Sequence, residues 1–471
     1  MNVKDNTFVT PEGIEFLHKT HQMIIDDTLL KGTNIHHKTI DYKTPDQLQV
    51  AFDLSIDDKG LDYDRILDMF SSTIKHSLNT AHPRFFGQLY SGRQLESLTS
   101  SWVVEALNTN VHTYECGPVF TLTENYVIKK LTEKLGFLDG DGIFLPGGTM
   151  CNFCALHLAR FAYDNNLREV GLCQSQKMII FTSEAAHYSV KTGASFLGFG
   201  TDNVIFVDTD DSGRMIPRDL DDKIRETKEQ GRVPLCVMAT AGTTVLGAYD
   251  PLEELASICR NYNIWLHVDA SWGGSVIFSD VHKHLMRGVE NKYQIISFNI
   301  RADSVSISFH KLLGVQLQCS ALMAKNKDVL RQSNAVDASY LFHEEKHYDI
   351  SYDIGKKTMQ CGRKADGYKL WVLWKAKGND GLEKMVNKYF DIAKYFTERL
   401  AERREFKLVA PKVIPAIKRR MVEAGSLSIS FQPLESKGYV NFFRIILNNP
   451  LTTRRDVDLI LDEIDRLGNN L

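Results

Sequence analysis

Residues 234–274 read PLCVMATAGTTVLGAYDPLEELASICRNYNIWLHVDASWGG. They hold one strand–helix–strand unit. PLCVMAT (234–240) and NIWLHVD (263–269) are short and nearly continuous in apolar residues, the pattern of parallel strands covered on both faces. Between them, Asp250-Pro251-Leu252-Glu253 offers an N-cap candidate, Pro at N1 and Glu at N3 ahead of LASICRNY. The rhythm continues outward. KMIIFTS (177–183), NVIFV (203–207) and SVSIS (304–308) read as further strands. Pro217 opens the helical pattern RDLDDKIRETKEQ and Gly231 closes it. Alternating strands and helices predict an α/β fold with a doubly wound, mostly parallel sheet.

Either end reads differently. Residues 1 to about 80 are helical with polar connections, and Leu61, Ile66, Met69 and Phe70 recur at helical spacing. From about 377 the chain is helix-rich with few strand candidates. The expected organisation is an N-terminal helical, dimerisation segment (1–95), a large domain (96–376) and a smaller C-terminal domain (377–471).

The 471 residues carry 56 Lys and Arg against 59 Asp and Glu, a net charge of −3. No basic stripe for nucleic acid or polybasic membrane anchor is evident in that balance. The polar start is not followed by an apolar segment, and no run of about 18 apolar residues occurs, so neither a secretory signal nor a membrane span is expected. The eight scattered cysteines resemble reduced, buried thiols of a cytoplasmic protein. Cys151 and Cys154 form a CxxC, read as two thiols inside a helix because no second pair completes a zinc site.

In doubly wound sheets, ligands bind beyond the carboxyl ends of the strands. Asp269 ends one strand, within HVDASWGG. His310-Lys311 follows SVSIS, and Glu184 and His187-Tyr188 follow KMIIFTS. Upstream, Pro146-Gly147-Gly148-Thr149 precedes the helical run MCNFCALHLAR, and a glycine turn opening a helix offers N–H groups to an anion. Taken singly, a Gly-Gly pair is often a plain turn and a buried Asp often a cap or an ion-pair partner. Together they are an amine, a carboxylate, an imidazole and a phosphate cradle at one sheet edge. Pyridoxal 5′-phosphate (PLP) requires this set.

The chain resembles the group II PLP-dependent decarboxylases, in the branch acting on acidic amino acids, which holds the glutamate and cysteine sulfinate decarboxylases. The likeness is densest in HPRFFGQLYSG (82–92), NTNVHTYECGPVF (108–120), DGIFLPGGTMCN (141–152), ATAGTTVLGAYDP (239–251), WLHVDASWGGS (265–275), HKLLGVQLQCSAL (310–322), ASYLF (338–342) and NFFRIIL (441–447). It implies the fold of the PLP-dependent transferases (fold type I). It also implies an obligate homodimer with active sites at the interface, and a carboxy-lyase with no metal.

The resemblance gives each residue a role. Lys311 would carry the cofactor covalently, Asp269 would pair with its pyridine nitrogen, and His187 would stack on its ring. Gly148, Thr149, Met150, Thr243, Thr244, Ser308 and His310 would surround the phosphate. Gln88 would lie near ring and substrate, and Arg444 would bind the substrate α-carboxylate in a two-pronged fork. Tyr340 would return a proton to the α-carbon. Tyr90 and Asn110 sit where the branches differ. The aromatic at 90 resembles the cysteine sulfinate enzymes, and Asn110 resembles glutamate decarboxylase. Leu317 matches both, and differs from insect aspartate decarboxylase, which has glutamine there. The expected substrate is cysteine sulfinate, giving hypotaurine. Glutamate giving GABA, aspartate giving β-alanine, and an inactive paralogue or aberrant isoform are the alternatives.

Departures from the family pattern are Ser308-Phe309 in place of Asn-Pro, Gly87 in place of Asn, the inserted NKYQIISFNI (291–300) and the shortened LVAPKVIPAIKRR (408–420). A rival motif, His343-Glu344-Glu345-Lys346-His347, fits the zinc-protease pattern HExxH, but its surroundings lack the apolar helix such a site needs. An aminotransferase would not need Tyr340 or the HPRFFGQL turn.

Overall fold

The computed structural model describes residues 10–469, except 174, 290–301, 337, 339, 343–344, 404–412 and 435–437. The chain divides into two compact units, Arg93–Lys388 and a second made of Met1–Gly92 with Tyr389–Leu471.

In the unit Arg93–Lys388 the seven-stranded sheet comprises β1 (Asp141–Leu145), β2 (Met178–Ser183), β3 (Val204–Val207), β4 (Val233–Thr240), β5 (Trp265–Asp269), β6 (Ser304–Ser308) and β7 (Ser320–Ala324). The order is β1-β7-β6-β5-β4-β2-β3. The pairs β2–β3, β2–β4, β4–β5 and β5–β6 are parallel, while β7 runs antiparallel to both β1 and β6. β2, β6 and β7 are buried along their whole length, as expected of strands covered on both faces. The five runs read as strands from the sequence are β2 to β6, displaced by no more than two residues.

The helix Pro217–Glu229 starts at its proline, and Gly231 beyond it has φ 68°. One expectation is corrected. Asp250 does not cap the helix Leu252–Tyr262, whose N-cap is Pro251 without a side-chain bond. The Asp250 carboxylate instead accepts the N–H groups of Met215 and Thr240, both at 2.7 Å. It closes the loop between β4 and that helix, and burial pushes its pKa up to about 6. Cys151 and Cys154 lie buried inside the helix Gly148–Tyr163, as read.

The other unit holds the helices Pro11–Met23, Tyr63–His76, Val413–Ala424 and Arg454–Gly468. An antiparallel hairpin, β8 (Ser430–Leu434) and β9 (Tyr439–Arg444), joins them. Phe86, Ile417, Met421, Leu427, Ile429, Ile460 and Ile464 pack into its core. The later part of LVAPKVIPAIKRR is thus a helix with Ile414 and Ile417 turned inward. Its first residues, and the insertion 291–300, lie outside the described residues.

Candidate active site

β1, β2, β4, β5 and β6 end at one edge of the sheet, and antiparallel β7 begins there. Asp269, the last residue of β5, is only 7% exposed. A carboxylate there needs compensation. Oδ2 accepts from the Asn152 side-chain amide at 2.8 Å, and Oδ1 from the Ser271 main-chain N–H at 3.0 Å. Burial alone would raise its pKa, but the charge of Lys311, with Ser271 and Asn152, outweighs burial and leaves it lowered. Asp269 stays ionised, with Lys311 as its cation.

Lys311 sits in the turn after β6. Phe309, standing where the family has proline, is buried and uses the N–H that proline lacks to bond Cys319 O at 2.8 Å. Lys311 N–H returns to Ser308 O at 3.2 Å, and Val315 N–H to Phe309 O at 3.2 Å. The turn therefore keeps its shape without the proline. Ser308 Oγ meets Ser320 Oγ at 2.7 Å across the β6–β7 pair. His310 is buried beside them. Its Nδ1 accepts the Cys319 N–H at 3.0 Å, and burial pushes its pKa down to about 4, so it is neutral.

His187 follows β2. Its Nδ1 lies 2.8 Å from Ser189 Oγ and accepts the Ser189 main-chain N–H at 3.2 Å. Burial lowers its pKa, although Asp269 pulls the other way, so it presents a neutral ring. Tyr188 packs on it, ring centroids 4.3 Å apart. Glu184, the other candidate after β2, accepts from Thr209 Oγ1 at 2.7 Å.

The glycine turn after β1 suits a phosphate. Gly147 has φ 93°, which a side chain would strain, and it caps the helix starting at Gly148. A Cβ at 148 would collide with Ser271 Oγ and come within 3.3 Å of Ser308 Oγ. The space in front of Gly148, Thr149 and Met150 is thereby kept clear, with hydroxyls at its wall and first-turn N–H groups opening into it. The loop after β4 brings Thr243, buried, with Oγ1 accepting from Ala248 N–H at 3.0 Å; Thr244 follows it. A cradle closed to any larger residue, an ionised buried carboxylate, an amine and a neutral flat ring are the donor set that PLP fits. PLP would be held by Lys311, Asp269, His187 and the 148–150 turn, and it supplies an electron sink for a bond broken at the substrate α-carbon.

Other candidate residues stand apart from this cluster. Tyr340 is 82% exposed. The Asn110 amide donates to Cys361 O at 3.1 Å and accepts from Arg363 N–H at 2.9 Å, so both its polar atoms hold the 361–363 backbone. Leu317 is exposed and lines a cavity of about 410 Å³ with Pro146, Gln318, Arg363, Lys364 and Lys369. In the other unit, Arg444 ends β9 and its guanidinium donates to Gly87 O at 3.3 Å. Ser430 Oγ, across the hairpin, donates to the same carbonyl. Gly87 thus joins the FGQL turn to the hairpin, with Gln88 and Tyr90 exposed beside it. His343 and Glu344 of the HExxH motif lie outside the described residues, and among the described residues no cluster of His, Cys, Asp and Glu could hold a metal.

Sequence reading missed Asn152, Ser189, Ser271 and His267. Their signal was weak. They are small or polar residues inside apolar segments, and their partners lie as far as 154 residues away in the chain, as Asn152 and Ser306 do.

Residues 45–422 match the pyridoxal-dependent decarboxylase conserved domain. The chain is 42% identical to the acidic amino acid decarboxylase GADL1 of Mus musculus, over 98% of this chain and 87% of that protein. It is 40% identical to the cysteine sulfinic acid decarboxylase of Homo sapiens, over 98% of this chain and 97% of the relative. The crystal structure of mouse CSAD superposes with a TM-score of 0.93 at 38% identity, covering 98% of this chain and all of that one. The rice TDC structure with PLP and tryptamine, at 21% identity and a TM-score of 0.87, shares the fold. With matches on this scale, and with the cluster around Lys311 and Asp269 in place, the chain belongs to the PLP-dependent decarboxylases and is a carboxy-lyase.

Proposed function

We propose that this enzyme decarboxylates a short acidic amino acid, with cysteine sulfinate, giving hypotaurine and CO₂, as its preferred substrate. The observation that carries the reading is the buried Asp269 carboxylate held ionised by the charge of the half-buried Lys311, beside a glycine cradle, in a chain whose curated relatives are named for acidic substrates. Arg444 binds the substrate α-carboxylate, and Gln88 orients the amino acid. Tyr90, an aromatic as in the cysteine sulfinate enzymes, favours a three-carbon acidic substrate. Asp269 stays ionised and keeps the electron sink charged. Lys311 accepts and returns protons while the substrate amine exchanges with its own. His187 covers one ring face as a neutral imidazole and excludes water. Tyr340 gives the proton that replaces CO₂ at the α-carbon.

Glutamate and aspartate are the second readings. Asn110, the glutamate cue, spends both polar atoms of its amide on the 361–363 backbone. The enzyme acts as a homodimer in the cytoplasm, a setting that suits eight cysteines all present as free thiols. No helix among the described residues is long and apolar enough to cross a membrane. The test is CO₂ release by purified, PLP-loaded protein from each of the three acids, with sedimentation velocity for the dimer. Fastest turnover of cysteine sulfinate supports the reading, and preference for a longer or different acid overturns it.

A further inference from the structure

Behind the cofactor cluster lies a buried chain of polar side chains, with Ser306 Oγ beside it at 3.4 Å from Asn152 Oδ1 and 3.5 Å from both His267 Nε2 and Asp269 Oδ1. Trp265 Nε1 lies 3.0 Å from Ser304 Oγ, and an indole N–H can only donate. Ser304 Oγ therefore accepts there, and it also lies 2.8 Å from His267 Nδ1. His267 is fully buried and neutral, its pKa pushed down to about 4. Its Nε2 lies 3.2 Å from Asn152 Oδ1. Ionised Asp269 can only accept, so the Asn152 atom facing it is Nδ2; Oδ1 then faces His267, whose proton is on Nε2, and Ser304 donates to Nδ1. Nδ2 donates to Asp269 Oδ2 at 2.8 Å and to Ser189 Oγ at 2.9 Å. The Ser189 hydroxyl, having accepted, donates to His187 Nδ1 at 2.8 Å.

The far end confirms the direction independently. The Ser189 main-chain N–H also points at His187 Nδ1, at 3.2 Å, and it too can only donate. Asp269, ionised, can only accept. The fixed acceptor Asp269 and the fixed main-chain donor of Ser189 thus agree on one orientation of the whole relay. Asn152, His267, Ser304 and Ser189 are all buried, so water does not compete for these bonds.

We infer that Asn152 is a positioning residue that, through one amide, orients the Asp269 carboxylate and, through Ser189, holds His187 as the neutral tautomer protonated on Nε2. One side chain thus sets both groups that the proposed function places on the cofactor, one at the ring edge and one on the ring face. The inference rests on that reading for its role in turnover, but the tautomer assignment stands on the protein alone.

The test separates the two. In full-length protein with ¹⁵N-labelled histidine rings, the His187 resonances, assigned by their loss in His187→Gln, should show a protonated Nε2 and a bare Nδ1 near neutral pH. In Ser189→Ala, which removes the hydroxyl but leaves the main-chain N–H on His187 Nδ1, Nδ1 should stay bare while its ¹⁵N shift moves with the loss of one of its two hydrogen bonds. In Asn152→Leu the same change should be joined by an altered pH dependence of the bound-cofactor absorbance, which Ser189→Ala leaves unmoved. Turnover should fall about 10- to 100-fold in Asn152→Leu, with KM changed less than kcat, the scale of an outer hydrogen-bond partner. His187 protonated on Nδ1 in the wild type would overturn the inference, as would a His187 spectrum unchanged in both variants. Should Asn152→Leu fail to fold, the wild-type spectrum still decides the tautomer and Ser189→Ala still tests the hydroxyl bond. An inactive enzyme with the expected tautomer would sink the proposed function and leave the relay intact.

Discussion

Asp269 is 7% exposed and Tyr340 is 82% exposed, although the proposed reaction uses both. The same contrast separates two regions of the molecule. At the sheet edge, Asp269, Thr243, Ser308 and His310 are buried and hydrogen-bonded on or just after fixed strands, with Lys311 and His187 half-buried beside them. Of the residues expected to tell substrates apart, Leu317 and Tyr90 lie exposed in turns and loops and Asn110 is half-buried. Groups that must keep a charge or a tautomer gain from burial, because competing water is removed and neighbouring dipoles are fixed. Groups that meet a changing substrate work from loops on a rigid scaffold. Changes in the first region should therefore cost chemistry and stability, and changes in the second should cost selectivity.

The largest expected loss is at Lys311. Lys311→Ala removes the covalent anchor, and turnover should fall by about 10³-fold or more. It should also abolish the absorbance of covalently held cofactor. Residual turnover near the wild-type level would place the anchor elsewhere. Asp269→Asn keeps the shape and one acceptor but not the charge, and kcat should fall about 10²- to 10³-fold. If that variant kept its rate, the ionised carboxylate would have no part in the reaction.

The buried region also predicts a pH effect on folding. His267 titrates near 6.5 when unfolded and at about 4 when folded, so the native state holds it neutral. Its contribution is complete above about pH 6.5 and is lost as the pH falls towards 4, because the unfolded chain takes up the proton first. The shift amounts to about 3 kcal/mol, from roughly 1.4 kcal/mol per pH unit. His267→Gln should flatten the acid limb of the stability curve relative to the wild type in urea titrations. Parallel acid limbs would show that His267 is not the group responsible.

In the exposed region, Leu317→Gln should move the ratio of kcat/KM between cysteine sulfinate and aspartate by about 10-fold in favour of aspartate, within the range one pocket contact supplies. Folding should not change. The smallest effect belongs to Tyr340→Phe. An exposed ring contributes little packing, so stability should shift by no more than about 0.5 kcal/mol. CO₂ release should nonetheless become partly uncoupled from amine formation, with aldehyde appearing. Unchanged products would remove Tyr340 as the proton donor.

Much of the sheet edge was legible in the sequence. Strands buried on both faces show as apolar runs, and Asp269 and Lys311 stand out because ionisable residues at the ends of such runs need a reason to be there. β7 escaped notice, since SALMA is short and its identity as a strand comes from pairing with β1 and β6. The hairpin β8–β9 carries polar residues on a half-exposed face, which reads as a loop. Asp250 looked like a helix cap because Asp-Pro-Leu-Glu is a capping pattern, yet two backbone donors from β4 and from Met215 claim its carboxylate. Asn152 was invisible for the same reason. Its partners come from three other segments, and only the folded sheet brings them to one amide.

The most direct measurement is a side-by-side assay of CO₂ release by the purified, PLP-loaded enzyme from cysteine sulfinate, glutamate and aspartate. The account predicts release from all or some of these acids, fastest from cysteine sulfinate, with hypotaurine formed in equal amount. Binding of PLP without CO₂ release from any of the three would contradict it.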